Sequence, residues 1–343
     1  MNLFCVGADF KTHSVEEREK LSLSRDDQAL TLSFFARHRS FGEFLTLSTC
    51  NRTEFYFVTT MSESRALREL VASLGELRKM PADWIDTAYY FRDEEVVWHL
   101  FELASGLKSM VVGETEIFGQ VKDAYERARA ARTCGRVFNR LFQSAFAAAK
   151  RARAASAIGR GNVSVSSIAR DLALEKLGAV SDRALLVLGT GEAGRGVARA
   201  FADSGLGRLA CSNRGEVAGK KFAAELGAAF VPWGRWRREL AGYNVVVACT
   251  SSAEYILRRE DLTADGDAGA DVKLLFDLGV PRNIDPTVAR LAGVTLLNID
   301  HLQSVALRNL RQRARQVEKC RGLLAPLVRR FVEHSQRSWL KAN

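Results

Sequence analysis

The chain has few of the features that would assign it to an extracellular, metal-binding or membrane class. Its six cysteines lie at positions 5, 50, 134, 211, 249 and 320 and form no Cys-x-x-Cys pair, so neither a zinc site nor a disulfide framework is indicated. No apolar run approaches the roughly 20 residues of a membrane helix, and the first residues show no signal sequence. We therefore expect a cytoplasmic protein without a metal ion or a membrane partner.

Acidic residues are also in deficit. The 343 residues include 50 Lys and Arg against 40 Asp and Glu, which gives a net charge of +10. This charge favours polyanions such as nucleic acid, although a merely basic surface accounts for the same numbers. The sequence has no internal repeat, and it is too long for one ordinary core, so two or three domains are expected.

One cysteine is notable for its position. Cys50 lies in a short turn between two strand-like apolar runs, 44–47 and 55–58. A thiolate attacks carbonyl carbon readily, and Arg52 can lower the thiol pKa or hold an anionic group of a substrate. A free cysteine more often behaves as a small buried hydrophobe. The position alone therefore leaves a catalytic and a structural interpretation open.

The residues around this turn predict a compact α+β domain, with helices packed on a small antiparallel sheet. Ser14-Val15-Glu16-Glu17 is a capping box that opens a short helix. His13 just before it either serves the substrate or is a solvated loop residue, and we expect the second. Further helices are predicted at 25–38, 62–79 and 93–104. A long basic helix at 136–157 ends the domain, and its charges either meet RNA phosphates or complement the helix C-terminus.

A second domain begins with the apolar strand 184–188. The strand leads directly into six residues and a helix, and we expect all six to bind a cofactor: Gly189, Thr190, Gly191, Glu192, Ala193 and Gly194. A Gly-x-Gly-x-x-Gly pattern between a strand and a helix predicts a dinucleotide whose pyrophosphate lies at the helix N-terminus. The next strand, 208–212, ends at Asn213 and Arg214, where an arginine suits the 2′-phosphate of NADP. Later strands are expected at 244–249 and 272–277.

Several stretches resemble one family. The segment Ser48-Thr49-Cys50-Asn51-Arg52-x-Glu54-x-Tyr56 is similar to the active-site motif of the glutamyl-tRNA reductases, which make glutamate-1-semialdehyde from glutamyl-tRNA for tetrapyrrole synthesis. The segment 104–122, ASGLKSMVVGETEIFGQVK, resembles a second motif of that family. Residues 277–285 resemble a third, and residues 7–19 resemble a loop near the family's active site.

The resemblance implies an NADPH-dependent reduction through a thioester on Cys50. It also implies a role in activity for His99, ten positions before Ser109, although a histidine on an apolar helix is more often a core residue. The implied substrate contacts are Thr49, Asn51, Arg52, Ser109, Glu114, Thr115, Glu116 and Gln120. The implied partners are glutamyl-tRNA and a downstream aminotransferase.

The chain departs from the family pattern at two places. The family usually has Pro-Gln where this chain has Thr115 and Glu116, and an acidic residue where it has Lys108. A carboxylate at 116 would repel the γ-carboxylate of a bound glutamyl group. The departure therefore bears on the aminoacyl group and much less on the reaction class.

The expected fold is α/β and multidomain. It comprises an N-terminal α+β catalytic domain over 1–157, a Rossmann-type NADP-binding domain over 158–298 and a long C-terminal spinal helix over 299–343. The apolar seam of that helix is expected at Leu310, Ala314, Val317, Leu324, Leu327 and Phe331. The dimerisation bundle that the family carries beyond this helix is expected to be missing, which leaves the oligomeric state open.

Three rival functions remain at this stage. An NADP-dependent dehydrogenase of a small free substrate, of the shikimate dehydrogenase kind, would share the second domain but leaves the Cys50 motif and the positive charge unexplained. A tRNA- or protein-binding module with a vestigial Rossmann domain would do no chemistry. The same reaction on a different aminoacyl-tRNA is the third, and Glu116 is its motive.

Overall fold

The computed structural model describes residues 2–78, 80, 83–156, 158, 164–178, 181–263 and 273–339, with the side chains of 307–313 and 335–339 left out. The chain forms two compact units, one of residues 1–161 with 309–343 and one of residues 162–308. The sequence instead predicted a separate helical segment from residue 299. The end of that helix joins the first unit because Cys320, Leu324 and Val328 are buried in its core.

The first unit contains a four-stranded antiparallel sheet with strand order β2-β3-β1-β4. Its strands are β1 (Asn2–Asp9), β2 (Glu43–Ser48), β3 (Arg52–Thr59) and β4 (Tyr89–Arg92). Every residue of β3 is buried, so the strand is covered on both of its faces. The helices are α1 (Val15–Leu21), α2 (Arg25–Phe35), α3 (Glu63–Arg78), α4 (Trp84–Thr87), α5 (Glu94–Ala104), α6 (Glu116–Ala130) and α7 (Arg136–Ala155).

Most of these elements confirm the sequence prediction. The capping box is present, since Glu17 N donates to Ser14 Oγ (3.4 Å) and Ser14 N donates to Glu17 Oε2 (2.8 Å). The sequence missed α4 and β4, because β4 has only four residues and alternates between half-buried and exposed positions. An apolar-run criterion does not detect such a strand.

The spacing of Arg52, Glu54 and Tyr56 follows from their place in β3. Side chains of a strand point alternately to its two faces, so these three residues share one face. Gly7 of β1 lies opposite Glu54 in the register. A Cβ atom at Gly7 would lie 2.8 Å from Glu54 Cγ and 2.6 Å from Thr53 O. Glycine therefore leaves the space that the buried Glu54 side chain occupies.

The second unit is a Rossmann fold with a six-stranded parallel sheet of order β10-β9-β8-β5-β6-β7. Its strands are β5 (Ala184–Leu188), β6 (Arg208–Ser212), β7 (Ala229–Phe230), β8 (Val245–Ala248), β9 (Lys273–Asp277) and β10 (Val294–Asn298). Its helices are α8 (Val165–Leu177), α9 (Glu192–Ala202), α10 (Glu216–Leu226), α11 (Trp236–Glu239) and α12 (Arg259–Thr263). The strand order reverses between β5 and β8, and ligands of such sheets bind at the carboxyl ends of the strands at this point.

A single helix, α13 (Ile299–Trp339), ends the chain and includes Pro326. The predicted seam is partly confirmed: Leu324 and Phe331 are buried, whereas Ala314 is exposed. The side chain of Leu310 lies outside the described residues. Among the helices of the described residues, none combines the length and apolar character that a membrane crossing requires.

Candidate active site

Cys50 lies in the tight turn between β2 and β3. Thr49 N donates to Arg52 O (2.8 Å), and Thr49 Oγ1 accepts from the backbone N–H groups of Asn51 and Arg52 (3.2 Å each). Three hydrogen bonds thus fix the turn. The Cys50 side chain is half-buried, so the turn holds a thiol at the edge of the sheet.

The surroundings of Cys50 keep its sulfur protonated. Burial and the charges of Glu114 and Glu116 together raise the pKa of the thiol to about 12, against the opposing charge of Arg18. Arg18 is buried and its Nη1 donates to Cys50 O (2.6 Å). The cation acting on the thiol is therefore Arg18, whereas the sequence had suggested Arg52.

The charge of Arg52 is committed to a buried carboxylate. Glu54 Oε1 accepts from Arg52 Nη1 (2.7 Å), Tyr89 OH (2.6 Å) and His99 Nε2 (2.9 Å), and Glu54 Oε2 accepts from Tyr56 OH (2.6 Å). Burial alone would raise the pKa of Glu54, but His99, Arg52 and Tyr56 together hold it well below its usual value. Glu54 is therefore ionised at neutral pH and joins all four donors in one network.

The network also fixes the state of His99. Burial lowers the pKa of this histidine, despite the opposing effect of Glu54, so the imidazole is neutral. Because Nε2 faces a carboxylate, Nε2 carries the proton and Nδ1 has a lone pair. Nδ1 is buried and has no hydrogen-bond partner among the described residues. His99 thus offers a proton acceptor that its protein neighbours leave unused.

Cys5, Glu54 and His99 bring potential ligand atoms within 4.8 Å of one another, all of them buried. Two observations argue against a cation there. Both carboxylate oxygens already accept hydrogen bonds, and the guanidinium of Arg52 lies 2.7 Å from one of them. Burial also raises the pKa of Cys5 well above its usual value, so a thiolate ligand is disfavoured. The cluster is a hydrogen-bond network rather than a metal site.

The second motif forms a closed loop that carries Ser109. Gly113 N donates to Gly106 O (2.9 Å), and both glycines have positive φ (91° and 80°). Arg153 of α7 holds the loop by donating to three backbone carbonyls, those of Ser105 (3.2 Å), Gly113 (2.9 Å) and Glu114 (2.8 Å). A Cβ atom at Gly113 would lie 2.0 Å from Ile158 O.

The structure accounts for the unusual Lys108 in this loop. Its ammonium lies 3.4 Å from Glu102 Oε2 and 5.3 Å from the ring centroid of Phe91. Its backbone carbonyl accepts a hydrogen bond from Arg52 Nη2. Lys108 therefore has a carboxylate partner on α5, and the Ser109 loop contacts β3 through Arg52.

The remaining predicted contacts lie at the start of α6. Thr115 is exposed and precedes the helix without a side-chain capping bond, whereas Glu116 and Gln120 are half-buried, one helical turn apart. Residues four apart share a face of a helix. Since the charges of Glu114 and Glu116 act on the Cys50 thiol, this end of α6 belongs to the same site. The roles of these residues as substrate contacts stay predictions.

Three polar atoms, Ser109 Oγ, Asn51 Oδ1 and His99 Nδ1, are buried without a hydrogen-bond partner in the described part of the chain. Buried polar atoms are nearly always hydrogen-bonded, so each exception needs an explanation. All three belong to residues predicted from the motifs to serve the reaction, and a bound substrate can supply the missing partners.

His13 differs from its prediction. It is buried, with Nδ1 2.7 Å from Thr12 Oγ1 and Nε2 3.0 Å from Thr87 Oγ1. The prediction of a solvated loop residue was wrong because Thr87 belongs to α4, an element that the sequence did not reveal. The loop does reach the site, since Arg18 contacts Cys50.

In the second unit the three glycines after β5 have different surroundings. Gly189 has φ of 103°, which favours glycine. A Cβ atom at Gly194 would lie 2.0 Å from Gly189 O, whereas one at Gly191 would meet no atom of the described residues within 4 Å. Gly191 immediately precedes α9, so a pyrophosphate can approach the helix N-terminus there. These residues fit a dinucleotide.

The residues after β6 complete the cofactor region. Thr190 N donates to Asn213 Oδ1 (3.4 Å), which ties the glycine turn to the end of β6. Arg214 is exposed, with its guanidinium carbon 5.7 Å from the ring centroid of Trp233. Its Nη2 donates to Ser252 Oγ (3.4 Å) of the loop after β8. Arg214 therefore lies at the carboxyl ends of the strands, where a 2′-phosphate would bind.

The motif at 277–285 is hydrogen-bonded to the loop that follows β8. Asp277 accepts hydrogen bonds from the backbone N–H groups of Gly279, Asn283 and Ile284 (2.8–3.1 Å). Asn283 Oδ1 in turn accepts from Thr250 N (2.6 Å) and Thr250 Oγ1 (3.0 Å). The motif therefore fixes the loop after β8.

Two family models match the chain. Residues 6–156 match the model of the glutamyl-tRNA(Glu) reductase N-terminal domain, and residues 171–305 match the model of shikimate/quinate 5-dehydrogenase. Together with the Rossmann fold and its open glycine turn, these matches define an NADPH-dependent oxidoreductase. Its Rossmann unit follows an N-terminal unit that contains Cys50.

Individual proteins that are similar over nearly the whole chain identify the family. A glutamyl-tRNA reductase of Rubrobacter xylanophilus is 35% identical over 99% of this chain and 78% of its own length. One of Aquifex aeolicus is 33% identical over 96% of this chain and 80% of its own length. The solved structure of glutamyl-tRNA reductase from Methanopyrus kandleri matches with a TM-score of 0.52 and 30% identity, covering 98% of this chain and 80% of that one. The chain belongs to the glutamyl-tRNA reductase family.

The glycine turn generates a paired prediction. Gly191→Ala should fold normally and raise the KM for NADPH about tenfold, since the added methyl group occupies the approach of the pyrophosphate. Gly194→Ala should lower the free energy of unfolding by about 1–3 kcal/mol, because its Cβ meets a backbone oxygen. Urea unfolding and NADPH kinetics on both variants check this. The reverse assignment, with Gly191→Ala the less stable variant, would contradict the described turn.

The electrostatics of Cys50 generate a second prediction. With a pKa of about 12, the thiolate fraction should grow tenfold per pH unit between pH 7 and 10. Glu116→Gln removes a negative charge that raises this pKa, so alkylation of Cys50 by iodoacetamide should become about two- to tenfold faster at each pH. Peptide mass spectrometry measures alkylation at this site.

The matched control is Glu126→Gln, an exposed position on the same helix whose carboxylate pairs with Arg129. It should leave the alkylation rate of Cys50 unchanged. An equal acceleration in both variants, or none in Glu116→Gln, would show that Glu116 does not act on the thiol.

Proposed function

We propose that this chain catalyses the NADPH-dependent reduction of glutamyl-tRNA to glutamate-1-semialdehyde, the first step of tetrapyrrole synthesis from glutamate, with Cys50 as the nucleophile. The observation that carries the proposal is the set of buried polar atoms on Asn51, His99 and Ser109 that have no hydrogen-bond partner among the described residues. Asn51 and Ser109 lie in the two motifs, and His99 is the residue that the family resemblance adds to them. Family membership supplies the reaction class.

In the first step the Cys50 sulfur attacks the ester carbonyl that links glutamate to the 3′ end of the tRNA. The thiol proton leaves as the carbon–sulfur bond forms, and we assign its acceptor to the carboxylate pair Glu114 and Glu116, whose charges act on this thiol. The proton then passes to the departing ribose oxygen, so a thioester and free tRNA result.

In the second step the thioester is reduced, and NADPH supplies the hydride. The carbon–sulfur bond of the thiohemiacetal then breaks, which releases the aldehyde and the Cys50 thiolate, and a proton from solvent restores the thiol. We assign His99 Nδ1 to a hydrogen bond or proton transfer with the substrate, because Glu54 holds Nε2 and leaves only Nδ1 available. We assign Arg52 an indirect role in substrate binding. Its guanidinium donates to Glu54 and to the backbone carbonyl of Lys108, so it holds the Ser109 loop in place.

The product defines the partners that we propose. An α-amino aldehyde is reactive, so an aminotransferase that takes it up directly would limit its loss. A cytoplasmic location suits six cysteines that are all free thiols, since disulfides form in oxidising compartments. The aminoacyl group is tested by assaying aldehyde formation with other charged tRNAs. A preference for one of them over glutamyl-tRNA would mean that Glu116 selects a different aminoacyl group.

The thioester route predicts the behaviour of Cys50→Ser. This variant should lose NADPH-dependent aldehyde formation by at least about a thousandfold while keeping its affinity for tRNA, because a serine hydroxyl without a strong base is a far poorer nucleophile. Incubation of the native protein with glutamyl-tRNA and no NADPH should give a glutamyl adduct on Cys50 by mass spectrometry. Substantial turnover by Cys50→Ser would rule out this route.

The cofactor preference predicts the behaviour of Arg214→Asp. The KM for NADPH should rise about 10- to 100-fold, since a charge-assisted contact to the 2′-phosphate is replaced by repulsion. The KM for NADH should change by less than about threefold, because NADH has no phosphate at that position. Steady-state kinetics with both cofactors make the comparison. Equal losses with the two cofactors would remove Arg214 from the 2′-phosphate site.

A further inference from the structure

A groove in the first unit lies outside the site described above. It encloses about 340 Å³ between α7 and α13, with Phe101 of α5 in its floor. On α7 its lining includes Arg140, Ser144 and Arg151, and on α13 it includes Arg330 and His334. Among the residues that the structure describes, none that lines the groove is acidic, so the groove has the electrostatic character of an anion site.

Two basic side chains of the lining, Arg151 and Arg330, are available to a ligand. Arg151 and Arg330 are exposed, and neither has a carboxylate partner within the described residues. The guanidinium carbon of Arg140 lies 5.8 Å from the ring centroid of Phe331, which also lines the groove. The helix α7 contains no Asp or Glu in its 20 residues.

Complementing a helix C-terminus does not explain this arrangement. That effect acts within the last turn of a helix, whereas Arg140 lies in the first half of α7 and Arg330 lies on another helix. Arg140 and Arg151 are 11 residues apart, which corresponds to about 16 Å along the helix axis. A single phosphate group cannot contact both ends of such a stretch, but successive phosphates of a polynucleotide strand can.

We propose that this groove binds the sugar–phosphate backbone of the tRNA substrate, with Arg151 and Arg330 as the principal phosphate contacts. The proposal rests on the proposed function, since it concerns the RNA part of the same substrate. Arg153, two residues after Arg151, points to another side of α7 and holds the Ser109 loop. One helix therefore positions both the RNA and the loop next to Cys50.

The test uses the double variant Arg151→Gln/Arg330→Gln in the full chain. At 150 mM KCl its KM for glutamyl-tRNA should rise about tenfold or more, with kcat changed less than about twofold, because the phosphate groups that these arginines bind lie away from the reacting carbonyl. The affinity for uncharged tRNA, measured over a range of KCl concentrations, should have a slope of log K against log [salt] that is shallower by about 1.4–1.8.

The matched control is Arg65→Gln/Arg68→Gln, which removes two exposed arginines from α3, a helix that does not line the groove. It should leave KM and the salt slope within about twofold and 0.5 of the native values. An unchanged double groove variant, or an equal loss in the control, would overturn the proposal.

Two further arms separate the alternatives. Titration with inorganic pyrophosphate by calorimetry tests a small-anion site: saturable binding that is abolished in the groove variant, without competition against tRNA, would overturn the assignment to RNA. A native protein that binds tRNA through the groove but forms no aldehyde from glutamyl-tRNA would refute the proposed function and leave the groove assignment standing.

Discussion

The first unit depends on one buried carboxylate. Glu54 accepts hydrogen bonds from Arg52 and Tyr56 of its own strand, from Tyr89 of β4 and from His99 of α5. A buried charge is costly unless it is paired and fully hydrogen-bonded. Each donor is therefore held in place by the energetic requirement of the same anion, and the two strands and the helix cannot shift independently.

The surroundings of Glu54 and those of Cys50 have opposite electrostatic effects within one unit. Around Glu54, positive charge and donors compensate the carboxylate and leave His99 neutral with a lone pair on Nδ1. Around Cys50, burial and two carboxylates favour the protonated sulfur. The resting unit therefore contains a protonated thiol and an imidazole nitrogen without a hydrogen-bond partner in the described part of the chain. The nucleophilic role that we propose for Cys50 thus requires that substrate binding change the surroundings of the sulfur before attack.

Local patterns in the sequence were enough for much of this organisation. The strands on either side of Cys50, the glycine turn with its strand and helix, and the apolar face of α6 each follow from residues that are neighbours in the chain. The period of two explains why Arg52, Glu54 and Tyr56 share a face. The family resemblance added His99 and Ser109, for which periodicity alone favoured a core residue or gave no role.

The parts that the sequence did not reveal depend on distant contacts. Arg18 reaches the Cys50 carbonyl across 32 positions, and Arg153 holds carbonyls some 40 positions away. Tyr89 lies on a strand too short to show a pattern. The local sequence around an arginine does not indicate which carbonyl it binds. The contacts of Arg18 and Arg153 therefore depend on the packing of the sheet and α7.

The protonated state of Cys50 has a consequence for the lifetime of the protein. Peroxides oxidise cysteine through its thiolate, and the resulting sulfinic and sulfonic acids are not ordinarily reversed. A sulfur held as thiol by burial, Glu114 and Glu116 is a poor target for such damage between encounters with substrate. The acidic residues that raise the pKa of the Cys50 thiol thus also protect its sulfur during oxidative stress.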